Sequence, residues 1–291
     1  MIISASYRTD IPTFYGAWLM NRLRAGYCLV QNPYSGKAHR VSLAREDVDG
    51  FVFWTKNAGP FLEQLDEIWS RGFPFVVQHT INDYPRALET SVVDAKRSVE
   101  LAHRLARFGP RVLVWRYDTI VTSSLTPPEL HVERFGALAE QLRGATDEVV
   151  VSFLHPYEKT RRNLDRAAAE RGFEWHDPPL EAKRGLAGRL AELAATHGMR
   201  LTVCSQRDYV VTGASAARCI DARRLEDVRG TTIRARLSGN RPECACFESR
   251  DIGDYDSCPH GCLYCYAVRD RSRAAARHRR HDPDAEMLMV P

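Results

Sequence analysis

Short apolar runs alternate with longer segments of helical period through the first two-thirds of the chain, and this alternation narrows the fold more than any other feature. Residues 2–6, 51–54, 75–79, 112–115, 149–153 and 201–204 read as strands. Residues 15–24, 60–70, 92–108, 128–142, 159–171 and 186–197 carry apolar positions at helical spacing. Gly72, Gly109, Gly144 and Gly198 stand at or just after the helix ends, where a C-cap glycine is expected. The strand runs are almost continuously apolar, as in strands covered by helices. About six βα units predict an α/β fold of the partial or closed TIM-like (β/α) barrel type. A Rossmann sheet is the competitor, but no GxGxxG follows a strand. The expected division is a barrel core over residues 1–206 and a cysteine-rich extension over 207–291, covering the barrel mouth and ending in a basic helix.

With 44% hydrophobic and 27% charged residues, the 291-residue chain has ordinary globular composition. A net charge of +4 is too small to indicate a nucleic-acid partner by itself. No apolar stretch is long enough to cross a bilayer, and the first residues lack the basic and apolar regions of a signal peptide. The expectation is a cytoplasmic protein. In a reducing compartment its eight cysteines read as metal ligands or free thiols rather than disulfides. Cys28 stands alone early in the chain and reads as core; the other seven fall in the last third.

The sharpest of these is the run Cys258-Pro259-His260-Gly261-Cys262-Leu263-Tyr264-Cys265. Three thiolates at this spacing, on a loop broken by proline and glycine, can wrap three corners of a 4Fe–4S cubane and leave the fourth iron open to another ligand. A structural zinc module is the alternative. Zinc loops usually pair their ligands in CxxC knuckles and close all four positions, and CxxxCxxC has no such pair.

Polar groups follow the strand candidates: Arg8-Thr9-Asp10, Thr55-Lys56-Asn57, His79-Thr80-Ile81-Asn82, Arg116-Tyr117-Asp118, and Ser152 with His155. Single groups of this kind serve as helix caps, and Thr9, Asn57 and Asn82 are open to that reading. Five in successive units point to a polar mouth at the C-terminal strand ends, where barrel active sites gather. Arg116, Tyr117, Asp118 and His155 are the residues expected to face a substrate.

The cysteine loop resembles that of the radical S-adenosylmethionine (SAM) superfamily, in which the open iron chelates the methionyl group of SAM. The segments Ser6-Tyr7-Arg8-Thr9-Asp10-Ile11, Phe53-Trp54-Thr55-Lys56 and His79-Thr80-Ile81-Asn82, with Leu88-Glu89 following, are similar to the SAM-binding portion of spore photoproduct lyase and its relatives. The resemblance implies that Thr9, Lys56 and Thr80 approach SAM and that Tyr264 lies beside its adenine. Chemically, a lysine can neutralise the SAM carboxylate and hydroxyls can bond the ribose. The order of these segments matches, but the cysteine loop follows them instead of preceding them, so the chain resembles a circularly permuted radical SAM barrel. It also resembles, over nearly its full length, a widespread bacterial family carrying this end-of-chain cysteine signature. The superfamily's glycine-rich methionine-binding motif is not recognisable, which leaves the methionyl ammonium without a partner.

The resemblance implies a 4Fe–4S cluster on Cys258, Cys262 and Cys265, bound SAM, a flavodoxin- or ferredoxin-like electron donor and a small-molecule substrate such as a nucleoside. Cys204, Cys219 and the pair Cys244 and Cys246 offer four further thiolates for a second 4Fe–4S cluster or a zinc ion, the alternative being buried free thiols. An auxiliary cluster of this kind would fit sulfur insertion or exchange. Arg269, Arg271, Arg273, Arg277, Arg279 and Arg280 near the end can grip phosphates or form a solvated helix face. The alternative function is an iron–sulfur or zinc nucleic-acid-binding protein without catalysis.

Overall fold

The computed structural model describes residues 1–33, 35–239 and 241–290. In chain order the elements are β1 (Ile2–Ala5), α1 (Ile11–Phe14), α2 (Gly16–Ala25), β2 (Tyr27–Gln31), β3 (Ala38–Ser42), β4 (Gly50–Thr55), α3 (Leu62–Ser70), β5 (Phe75–Thr80), α4 (Ala95–Ala106) and β6 (Leu113–Ile120). They continue with α5 (Pro128–Gln141), β7 (Glu148–Phe153), α6 (Glu158–Arg171), α7 (Leu180–Thr196), β8 (Arg200–Val203), β9 (Ala214–Ala216), α8 (Ala222–Arg229), β10 (Arg250–Asp251) and α9 (Arg271–Arg279).

Eight strands form one sheet in the order β10-β1-β4-β5-β6-β7-β8-β9, and every pair in it is parallel. From β1 to β9 the spatial order follows the chain without reversal. A doubly wound sheet reverses at a switch point, and this one does not. The two remaining strands, β2 and β3, make a separate antiparallel hairpin.

Alternation along each strand sends its residues to opposite faces. Ile3, Phe51, Phe53, Phe75, Val77, Trp115, Val149 and Leu201 pack with apolar residues of α2, α3, α4, α5 and α7 in one continuous core. Their neighbours Ile2, Val52, Val76, Val114 and Val150 turn to the other face. That face is covered not by further βα helices but by the chain from Ala217 to Phe247, including Leu225 of α8. Arg224 of α8 donates to the carbonyls of Arg111 and Leu113 and bonds Asp147 and Glu148, which fixes α8 near the N-terminal ends of β6 and β7.

The segment expected as an extension over the barrel mouth does bring Cys258, Cys262 and Cys265 to the cavity there, and it also supplies both edge strands, β9 and β10, and apolar residues that pack on the inner face and complete the core. Among the described residues no helix is long and apolar enough to cross a membrane.

Candidate functional site

The inward rows of the strands change character toward their C-terminal ends. Below are Ile2, Val52, Val76, Val114 and Val150; two residues further along stand Ser4, Trp54, Gln78, Arg116 and Ser152; two further again stand Ser6, Lys56, Thr80 and Asp118. Ser6, Trp54, Lys56, Thr80, Arg116, Asp118 and Ser152 line a cavity of about 1980 Å³. A strand's two-residue repeat thus carries an apolar floor into a polar mouth within a few residues.

Cys258, Cys262 and Cys265 open onto the same cavity. Their loop directly follows β10, which pairs in parallel with β1 through Ile3–Arg250 and Ser4–Asp251. Asp251 closes this edge: its carboxylate accepts from the Ser4 hydroxyl (2.8 Å), the Ser6 hydroxyl (2.7 Å) and the backbone N–H groups of Tyr7 and Gly253 (both 3.0 Å). The loop is then pinned to the α1–α2 junction and, at two points, to the connection between β5 and α4. The Tyr15 hydroxyl donates to Ser257 O at 2.6 Å, Ser91 N–H to His260 O at 2.9 Å and Leu263 N–H to Leu88 O at 3.1 Å. Gly261 turns the loop with φ +77°, a conformation in which a side chain is strained.

Asp10 is the hub beneath it. Its carboxylate accepts from Thr13 N–H (2.9 Å), Lys56 N–H (2.8 Å), the Thr55 hydroxyl (3.1 Å) and His260 Nε2 (2.8 Å), joining α1, the end of β4 and the cysteine loop. Burial raises its pKa, but the His260 contact and the backbone donors outweigh this and hold the carboxyl below its ordinary value. Asp10, not Thr9, caps α1. The Thr9 hydroxyl is buried, has no hydrogen-bond partner among the described residues, and belongs to a residue lining the cavity. Asn57 closes a local turn, its side-chain oxygen accepting from Gly59 N–H at 3.0 Å, but the N-cap position of the short helical turn that follows belongs to Ala58.

Lys56 is not free. Its Nζ lies 2.8 Å from Glu89 Oε1, which also accepts from the Tyr264 hydroxyl and from Asn82 Nδ2 (3.3 Å). Burial works against the ammonium, yet Glu89 and the neighbouring Cys262 sulfur raise its pKa. Asn82 is no helix cap: its amide reaches Asp118 O (3.0 Å) and the Tyr264 hydroxyl (3.1 Å), tying β5 to β6 and the loop. Glu89 itself pairs with Cys262 as an isolated antiparallel bridge. Asp251 and His260 were not singled out from the sequence, since their partners lie far away along the chain; Glu89 stood in the quoted resemblance without a role, and His260 was signalled by its place between the cysteines.

The structure brings Thr9, Lys56, Thr80, Tyr264, Arg116, Asp118 and His155 to one cavity with all seven C-terminal-region cysteines. Tyr117 is the exception. It follows Arg116 on β6 and therefore points to the opposite face, where its hydroxyl lies 2.8 Å from His131 Nδ1 in the helix-covered core. Arg116 grips the Asp118 carboxylate with two nitrogens, one at 3.1 Å, and bonds Gln78 Oε1 and Cys219 Sγ, both at 3.1 Å. His155 is exposed and packs edge-on against Tyr157 at the rim.

Burial is the leading cause that pushes the thiols of Cys258, Cys262 and Cys265 up. A metal or cluster binding there must displace their protons. Among the described residues no group of three or more His, Cys, Asp or Glu side chains is arranged to hold a single metal ion.

The model of a domain of unknown function, DUF1848, matches residues 2–267. The chain belongs to this family. No curated protein and no solved structure matches it. The matched span reaches just past Cys265, so the cysteine loop lies within the DUF1848 domain, whereas α9 and the tail that docks on α2 lie beyond it. That tail accepts hydrogen bonds from Trp18 Nε1 at Ala285 O (2.9 Å) and from Arg22 at Asp284 O (2.9 Å).

Proposed function

We propose that this DUF1848 protein is a radical SAM enzyme with a permuted, partial (β/α) barrel. The observation that carries the reading is one of position. Cys258, Cys262 and Cys265 follow an edge strand, β10, that lies beside β1, and share one cavity with Thr9, Lys56 and Thr80 at the C-terminal ends of a singly wound parallel sheet. A loop that comes late in the chain thereby stands beside the first strand in space, which is what a permuted barrel requires.

The residues fit the implied groups. Three thiols face one cavity without closing on a point, which suits ligands to separate irons of a cubane. The Thr9 hydroxyl lacks a protein partner. When bound, a 4Fe–4S cluster with SAM on its open iron supplies one-electron cleavage of SAM to methionine and a 5′-deoxyadenosyl radical. The chain's own part is to bind, orient and exclude water. Lys56 spends one of its three ammonium N–H groups on Glu89, leaving two for the SAM carboxylate. Tyr264, fixed by Glu89 and Asn82, holds the loop's last turn against this wall. Arg116, Asp118 and Ser152, further along the sheet, face the space left for a substrate. The electron would come from a flavodoxin- or ferredoxin-like protein.

The test is anaerobic reconstitution followed by reductive incubation with SAM. A brown protein that forms 5′-deoxyadenosine is expected, and the triple variant Cys258→Ala, Cys262→Ala, Cys265→Ala should form none. Wild-type-like formation in that variant would remove the assignment.

A further inference from the structure

Four further cysteines, far apart in sequence, meet at the same cavity. Cys204 ends β8, Cys219 follows β9, and Cys244 and Cys246 belong to the stretch before β10. Cys219 Sγ lies 3.4 Å from Cys204 Sγ. Cys219 is in thiol contact with Cys246, and Cys246 in turn with Cys244. All four open onto the cavity. Nitrogen donors already address these sulfurs: Arg116 Nη1 reaches Cys219 Sγ at 3.1 Å and Ile220 N–H reaches Cys246 Sγ at 3.3 Å. Donors of this kind stabilise the negative sulfurs of a cluster and tune its potential.

We infer that Cys204, Cys219, Cys244 and Cys246 hold a second 4Fe–4S cluster, in the same cavity as the first cysteine set. The inference stands on these four residues and does not depend on what the loop cysteines bind. Plain burial accounts poorly for the arrangement, because small apolar residues would fill the same volume without turning a buried guanidinium toward sulfur. The four thiols are linked pairwise, Cys204 to Cys219, Cys219 to Cys246 and Cys246 to Cys244, rather than gathered around one point. This favours separate irons of a cluster over one zinc. Cysteines would take all four positions, so no iron is left open and the site is an electron carrier rather than a ligand trap.

The Arg116–Asp118 pair stands between the two sets. Arg116 touches Cys219, and Asp118 O accepts from Asn82, which bonds Tyr264 and Glu89 beside Cys262. A substrate held by this pair would lie within reach of both.

The test reconstitutes the full chain anaerobically with iron and sulfide, then measures iron, sulfide and zinc and records Mössbauer spectra. Wild type should hold about eight irons and as many sulfides, the content of two cubanes. Both the loop triple variant and the double variant Cys219→Ser, Cys246→Ser should hold about half of that content. Circular dichroism melts check folding, and Cys244→Ser, at a half-buried position, repeats the measurement if the double variant unfolds. A folded triple variant without iron, or with zinc in its place, overturns the second cluster. Failure of the radical SAM reading has a different signature: the triple variant would then keep the full iron content of the wild type.

Discussion

At the scale of single residues, the site is held by charges that the fold has already paired. Lys56 sits between Glu89 and the space proposed for SAM, so Lys56→Ala should weaken SAM binding by about 1–3 kcal/mol, the range for a charge-assisted hydrogen bond. Its iron content should match wild type, because lysine is not a ligand. Anaerobic calorimetry reads the affinity, and an unchanged affinity would show that the carboxylate lies elsewhere. Asp10 gives a pH signature. Although burial raises it, its folded-state pKa is depressed below the ordinary carboxylate value by His260 and the backbone N–H groups of Lys56 and Thr13. Its share of stability is therefore present above the unfolded pKa of about 4 and lost as pH falls through the folded value. Asp10→Asn should cost about 1–3 kcal/mol near neutral pH, since it leaves buried donors unmatched, and the gap to wild type should close below about pH 4. Urea midpoints across that range decide it. Asp251, whose pKa burial raises, acts in both proteins alike and drops out of the difference. A gap that widens on acidification would mean the carboxyl is destabilised by the fold.

At the scale of elements, legibility followed periodicity. The six strand runs and the six helical segments were readable because each buries a repeating face, and all appear. β9 and β10 were not readable: Ala-Ser-Ala and Arg-Asp carry no pattern, and only pairing to β8 and β1 makes them strands. The β2–β3 hairpin was missed as well; its second strand is half exposed and reads as a polar loop. α8 is short and mostly charged, and the capping Asp221 and the C-cap Gly230 were its local signals. At the site, residue type was legible but facing was not always used. Alternation on β6 alone separates Arg116 and Asp118 from Tyr117, whereas Asp251, and the pairing of Glu89 with Lys56, became visible only through contacts across the fold. The cysteine loop itself depends on a backbone choice. Gly261→Ala places a side chain at φ +77° and should cost about 1–2 kcal/mol, felt locally. Faster hydrogen exchange across residues 256–267 and lower iron uptake are the expected readouts. Gly185→Ala is the control: it lies in α7 with open space around it and should stabilise by about 0.5–1 kcal/mol. A Gly261→Ala protein as stable as wild type, with unchanged hydrogen exchange across the loop, would contradict the loop geometry.

At the scale of the whole molecule, the chain's two parts are one folding unit. The inner row of Ile2, Val52, Val76, Val114 and Val150 packs against apolar residues between Ala217 and Phe247. Each such side chain contributes about 1.5–3 kcal/mol when fully buried, and five together rival the roughly 5–15 kcal/mol that holds a typical domain folded. The buried guanidinium of Arg224 adds to this, since it neutralises Glu148 and Asp147 and satisfies two carbonyls of the β6 approach. Truncation at residue 206 would strip the inner face, leave Glu148 without Arg224, and remove both edge strands. The full chain should therefore unfold in one cooperative transition by circular dichroism and by tryptophan fluorescence alike, because Trp18 and Trp115 report the helix-covered core while Trp54 reports the cavity. Residues 1–206 alone should show no cooperative transition and should aggregate. A soluble 1–206 fragment with a sharp melt would mean that the C-terminal region is an appendage, and that the cysteine loop is presented by a barrel already complete without it.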